Sequence, residues 1–185
     1  MYSLDEYNKL ENKYGFYSSW AIWNKDNQKD TSLIKDSLEE IHSKYVFLAL
    51  NISAPLTKVW SNFHGGKHDR KLVQACNHSH FRGSYITDIF KGIEDPDSSA
   101  LKNIPEEIII QNVSFFEEEM RDIKVNKDTV FIILGTKTSI LSKYFNRYFR
   151  KNYTDNKVIN YYHYSYYGIT DDDWVRGLLK ISSLI

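Results

Sequence analysis

The sequence predicts an α/β fold in three layers, with a central sheet of four parallel strands between helices. Two observations carry that expectation. Short apolar runs bounded by turn residues recur near 45–50, 85–89, 129–134 and 157–162. Runs of this kind read as strands buried on both faces, as in a parallel sheet. Segments with helical spacing separate the runs and are long enough to serve as crossovers between parallel strands.

The elements follow in order. Ser3 and Glu6 form a capping box ahead of Leu4, Tyr7 and Leu10, so the chain opens with a short helix that Gly15 ends. Phe16–Trp23 is aromatic and β-branched enough for a strand. A charged turn over Asn24–Thr31 leads to an amphipathic helix over Ser32–His42, with Leu33, Ile34, Leu38 and Ile41 on its apolar face. The strand Tyr45–Leu50 follows, and then an irregular segment to Lys67 in which Pro55 and Gly65-Gly66 break regular structure. Asp69 caps a helix through about Asn77. The strand Tyr85–Ile89 runs into the turn Glu94-Asp95-Pro96-Asp97. Pro105 suits the first position of a long helix reaching about Lys124, with Ile108, Ile109, Phe115, Phe116 and Met120 available for burial. Thr129–Leu134 is a buried strand, Gly135-Thr136 opens a helix to about Tyr153, and Lys157–Tyr162 is the last strand. Thr170 and the acids Asp171–Asp173 begin a final helix at its positive end.

At 185 residues the chain is expected to form one domain, residues 1–185, with 1–44 as a helix-and-strand extension packed on the core. Formal net charge is zero, so any nucleic-acid surface must be a local patch rather than a global field. The single cysteine, Cys76, excludes an internal disulfide and a cysteine-held iron–sulfur cluster, and no cofactor is expected. No apolar stretch approaches membrane-spanning length, and the N-terminus lacks the order of a secretion signal. A soluble cytoplasmic protein without a membrane partner is the expectation.

Three of the apolar runs stop abruptly in polar residues. Tyr45–Leu50 ends at Asn51-Ile52-Ser53, the run from Ser84 reaches Thr87-Asp88, and Val158–Tyr162 ends at His163-Tyr164-Ser165. In open α/β sheets ligands bind beyond the carboxyl ends of the strands. One layout therefore brings Asn51, Asp88 and His163 to a common rim.

These motifs, in this order, resemble the uracil-DNA glycosylase superfamily over most of the chain, from Tyr45 to Leu179. Leu48-Ala49-Leu50-Asn51-Ile52-Ser53 is similar to its water-activating motif in the Asn-bearing form. Phe63 falls where the family carries an aromatic that stacks on an extruded base. Tyr85–Lys91 resembles the strand whose Asn reads the pyrimidine edge, and Val130–Gly135 the strand before a helix of the nucleic-acid face. His163-Tyr164-Ser165 is similar to the His-Pro-Ser motif that stabilises the departing base and engages DNA. The resemblance implies hydrolysis of a base–sugar bond in DNA or a nucleotide. Asn51 and His163 would then be catalytic and Phe63 and Asp88 base-binding, while Ser53, Ser165, Lys67 and Arg147 would contact nucleic acid. No metal is implied.

The sequence departs from that family in ways that bear on substrate. Ile52-Ser53 stands where the family has Pro-Gly, Tyr164 where it has proline, and Asp88 where it has Asn. An amide both donates and accepts, whereas an ionised carboxylate only accepts. Asp88 thus prefers a donor-rich edge, such as the amino-bearing edge of cytosine, adenine or guanine, to uracil.

Each residue also has a plainer reading. Asn51 satisfies backbone groups at a tight turn, Phe63 is core, His163 is a hydrogen-bonded core histidine, and Asp88 caps a turn or pairs with Lys91. His64-Gly65-Gly66-Lys67-His68-Asp69-Arg70-Lys71 is a solvated basic loop, a phosphate-approaching loop, or, with His78 and His80, a source of zinc ligands at no known zinc spacing. Lys143, Arg147, Arg150 and Lys151 form a solvated helical face or one that touches phosphates. Two other functions compete with glycosidic hydrolysis: a non-catalytic nucleotide or nucleic-acid-binding module, and a protein-interaction domain.

Overall fold

The computed structural model describes residues 2–95 and 100–182. Its core is a five-stranded mixed sheet in the order β1-β3-β2-β4-β5. These strands are β1 (Ser18–Trp20), β2 (His42–Asn51), β3 (Ser84–Phe90), β4 (Val130–Leu134) and β5 (Val158–Tyr161). The pairs β2–β3, β2–β4 and β4–β5 are parallel, and β1 runs antiparallel to β3 at one edge. The α/β class is as expected. The expected four-stranded parallel sheet is corrected to five strands, because the N-terminal extension supplies an edge strand to the sheet itself.

The helices are α1 (Leu4–Tyr14), α2 (Ser32–Lys35), α3 (Arg70–Cys76), α4 (Glu106–Asp122), α5 (Ile140–Tyr144) and α6 (Asp171–Ser182). Period-two alternation splits the strands between two cores. Val46, Leu48, Tyr85, Ile89, Phe131 and Ile133 pack with α1, α4 and α5. Phe47, Ala49, Ile86, Ile132 and Leu134 pack with Leu72 and Ala75 of α3 and with Trp174 and Leu178 of α6. The chain moves from β2 to β3 in one direction, then crosses back past β2 to β4 and β5. Its crossover helices change face at that reversal, as right-handed connections require. The switch point lies between β2 and β4, where open α/β sheets form their crevice.

Local chemistry explains where elements start and stop. The Ser3 hydroxyl accepts from Glu6 N at 3.2 Å and Glu6 Oε2 accepts from Ser3 N at 2.8 Å, closing the capping box of α1. Its stripe Tyr7, Leu10 and Tyr14 is buried. Gly83, at φ +81°, turns the chain into β3; its carbonyl accepts from His42 N and its N–H donates to Ala21 O, and a Cβ there would strike the Glu40 carbonyl.

Several expected boundaries are corrected. The strand over 16–23 shrinks to Ser18–Trp20: Tyr17 N turns back to Tyr14 O, and Ile22 N to Trp20 O. The helix over 32–42 lasts one turn. Tighter bonds follow from Ser37 N to Ile34 O and from Glu40 N to Ser37 O, and the sheet then claims His42. Asp69 precedes α3 without capping it, since its carboxylate accepts from Gly66 N at 2.7 Å. Pro105 sits at the N-cap of α4, one position before the helix. The helix expected from Gly135 begins at Ile140, where Ser139 Oγ accepts from Ser142 N. It then widens into a π turn over Phe145–Phe149 and a 3₁₀ turn over Arg150–Asn152. Phe145 and Phe149 both reach Phe116 across the core. Pro96 and Asp97 of the expected turn lie outside the described residues.

Candidate functional site

The carboxyl ends of the parallel strands surround a cavity of about 620 Å³, a volume typical of small-ligand sites. Strand β2 contributes Ala49, Leu50 and Asn51, and Ser53 follows. Strand β3 contributes Asp88, and β4 ends in Leu134-Gly135-Thr136 at another wall. The segment 162–167 after β5 forms the mouth, and the loop before α3 adds Asn62 and Phe63. Six sequence-expected residues are therefore together: Asn51, Ser53, Phe63, Asp88, His163 and Ser165 all line this one cavity. Lys67 and Arg147 do not. Lys67 is exposed in the loop before α3. Arg147 lies in an adjoining depression with Lys102, Lys143 and Tyr148, which meets the cavity at Ile140.

Asn51 sits where β2 ends, and its amide is held from three sides. Nδ2 donates to the carbonyls of Ile52 (3.0 Å), Ile93 (3.1 Å) and Asp95 (2.8 Å). A flipped amide would set oxygen against three oxygens, so the orientation is fixed. Oδ1 has no hydrogen-bond partner among the described residues and remains an acceptor at the cavity wall. The turn-stabilising reading of Asn51 and the site reading thus use different atoms of one side chain.

His163 is half-buried, and its ring lies over Tyr164 with centroids 4.3 Å apart. Ser165 N donates to Nδ1 at 3.2 Å, and Ser165 Oγ stands 2.7 Å from the same nitrogen. An accepting Nδ1 places the proton of the neutral ring on Nε2. Burial, followed by the nearby positive charges of His68 and Lys71, pushes the imidazole pKa down to about 4. At neutral pH His163 is an uncharged N–H donor.

Asp88 is almost wholly enclosed at 1% exposure. Asn62 Nδ2 donates to its Oδ2 at 2.8 Å, and no described residue bonds Oδ1. Desolvation pushes its pKa up to about 7, with Glu119 adding to the rise while Asn62 and Lys91 oppose it. The expected pairing of Asp88 with Lys91 is corrected. The Lys91 ammonium reaches Glu119 Oε2 at 2.6 Å on the opposite face of β3, and touches Asp88 only at its backbone carbonyl.

Phe63 is a buried wall rather than a free platform, with its ring edge-on to Tyr164 at 6.1 Å. Its backbone is left-handed, at φ 63°, as is that of Trp60 at φ 58°. Bulky residues adopt that region only when their surroundings force it. The N-terminal extension supplies the force. Trp60 N donates to Gly15 O, Ser19 Oγ to Trp60 O, Asn62 Nδ2 to Tyr17 O, and Trp23 Nε1 to Phe63 O. Residues 15–23 are therefore the scaffold of one wall of the site.

Sequence reasoning missed Asn62, Asp95 and the tyrosines Tyr162, Tyr166 and Tyr167, all of which line the cavity. The tyrosines carried a visible signal, an aromatic run after the last strand. Asn62 carried none, since its role depends on Tyr17 and Asp88. His64 is buried, stacks on Trp23 and places Nδ1 3.3 Å from Gln28 O, which accepts from it. Among the described residues, no three His, Cys, Asp or Glu side chains are grouped to hold a metal, and no helix is long and apolar enough to cross a membrane. No protein-family model, curated protein or solved structure matches the chain.

Proposed function

We propose that the cavity is a nucleobase site on a uracil-DNA glycosylase-like scaffold, and that the protein hydrolyses a base–sugar N-glycosidic bond in DNA or a nucleotide. One observation carries this reading: Asn51, Phe63, Asp88 and His163, distant in sequence, surround one cavity of nucleobase-accommodating size. In the reaction the C–N bond breaks with its electron pair leaving on the base. A water oxygen bonds the sugar carbon, and the water's proton ends on the departing base. Asn51 Oδ1 positions the water. His163 Nε2–H donates to the base oxygen on which negative charge gathers. The Phe63–Tyr164 wall encloses an extruded ring.

At pH 8 an ionised Asp88 opposes the carbonyl of uracil, acceptor against acceptor, at a cost of about 1–3 kcal/mol or more. An amino-bearing base suits it better. Base release from oligonucleotides carrying uracil or other modified bases tests the reading. The wild type should excise uracil poorly at pH 8, Asp88→Asn should improve it, and Asn51→Ala or His163→Ala should lower turnover by about 100-fold. Absence of release from every base tried, by every variant, removes the enzymatic reading. A second reading, a nucleotide-binding module without turnover, is favoured by Asn51 itself, whose amide takes no proton from water. Binding without base release would select it.

A further inference from the structure

Asn62 and Asp88 both line the cavity and bond each other. The Asn62 amide donates to Asp88 Oδ2 at 2.8 Å and to Tyr17 O at 2.9 Å, so its orientation is set from two sides. A carboxyl group accepts best at its carbonyl-type oxygen. By donating to Oδ2, Asn62 makes that oxygen the carbonyl of the acid and leaves the acid proton to Oδ1. Neither Asp88 Oδ1 nor Asn62 Oδ1 has a partner among the described residues.

We infer that the Asn62–Asp88 pair is the specificity element of this cavity, with Asn62 positioning the carboxyl so that Oδ1 meets the ligand. As a hydroxyl, Oδ1 donates to the ring carbonyl of a lactam such as uracil. As a carboxylate oxygen, it accepts from the exocyclic amino group of a base such as cytosine. One side chain thus reads two opposite edges, chosen by its proton. The inference rests on the nucleobase reading of the cavity.

The groups around Asp88 set the balance between the two forms. Lys91 at the end of β3 favours the carboxylate and Glu119 of α4 opposes it. Tyr164, in the segment after β5, is held neutral by burial and by Asp69 and Asp88. Burial dominates and brings the carboxyl to about 7, so both forms are populated near neutrality.

The test is titration of the wild-type protein with free uracil and free cytosine, by calorimetry or NMR, at pH 6 and pH 8. Uracil affinity should fall about tenfold across that interval and cytosine affinity should rise about tenfold, each tracking its competent form. Asp88→Asn should bind uracil with no such pH dependence. Asn62→Leu removes a bond that favours the carboxylate, so the midpoint of the uracil profile should move to higher pH in protein shown to be folded by circular dichroism. A merely structural Asn62 would lower stability and leave the midpoint in place. Wild-type binding of both bases with flat pH profiles overturns the inference and leaves the nucleobase site standing. Binding of neither base at either pH removes the nucleobase reading and the inference with it.

Discussion

The two faces of β3 treat a buried carboxyl group in opposite ways. On the α4 face, Glu119 is fully enclosed and both of its carboxylate oxygens are bonded. Tyr85 OH and Thr87 Oγ1 donate to Oε1 at 2.9 and 2.8 Å, and Lys91 Nζ reaches Oε2 at 2.6 Å. On the other face Asp88 is as deeply placed, yet it has Asn62 as its single described side-chain donor. A carboxylate whose oxygens are all used belongs to the fold. One held in a cavity with an oxygen to spare is poised for a ligand, because leaving it desolvated and half-bonded is costly unless something else meets it.

The closed face should break hardest. Lys91→Met leaves Glu119 enclosed with no counter-charge, and the expected loss is about 3–5 kcal/mol in urea denaturation. Replacing both partners, Lys91→Met with Glu119→Met, should recover much of that loss, since the penalty belongs to the orphaned charge. A single-variant loss below about 1 kcal/mol would mean that Glu119 is relieved in some other way and that the two faces are not so different.

The open face should respond to pH instead. Folded Asp88 keeps its proton up to about 7, whereas in the unfolded chain an aspartate loses it near about 4. Between those values the folded state binds more protons. The contribution of Asp88 to stability is therefore fully present below about pH 4 and is lost as pH rises through about 7. Asp88→Asn keeps the size and the Asn62 contact but cannot ionise. It should match the wild type near pH 4 and exceed it at pH 8 by an amount bounded at about 4 kcal/mol. A wild type more stable than the variant at pH 8 would show that the Asp88 carboxylate is satisfied as an ion.

What the sequence disclosed follows the same division between local and distant causes. The capping box of α1, the pattern of α4 and the four parallel-strand segments are written in adjacent residues, and they were legible. The edge strand β1 was only half legible, because its length is set by pairing with β3 and by the bond of Ala21 N to Ser84 O. Asn51, Asp88 and His163 were found through one rule, that strand ends make sites. Glu119 also left a trace. It lies on the apolar stripe of α4 with Ile109, Val113, Phe116 and Met120, where a carboxylate demands a buried partner. Asn62 left none, since a polar residue in an irregular loop is unremarkable until Tyr17 and Asp88 are brought beside it.

The smallest effect belongs to the mouth of the open face, where the cavity meets solvent. Among the described residues the large exposed hydrophobics are Leu4, Phe16, Ile110, Tyr162, Tyr166 and Tyr167, and the three tyrosines all stand at this mouth. Tyr162 and Tyr166 lie nearly parallel, 5.1 Å apart at 10°. Tyr167 is 96% exposed. The fold gains little from that ring, so Tyr167→Ser should change stability by no more than about 0.5 kcal/mol. If a strand of nucleic acid delivers one base to the cavity, its neighbour has flat aromatic faces to stack on, each worth about 1–3 kcal/mol. Tyr167→Ser should then weaken a single-stranded oligonucleotide by an amount at the lower end of that range while free-base affinity stays unchanged. Equal losses for oligonucleotide and free base would place Tyr167 inside the pocket. No loss for either would confine recognition to the enclosed residues around Asp88 and make a free nucleotide the better substrate.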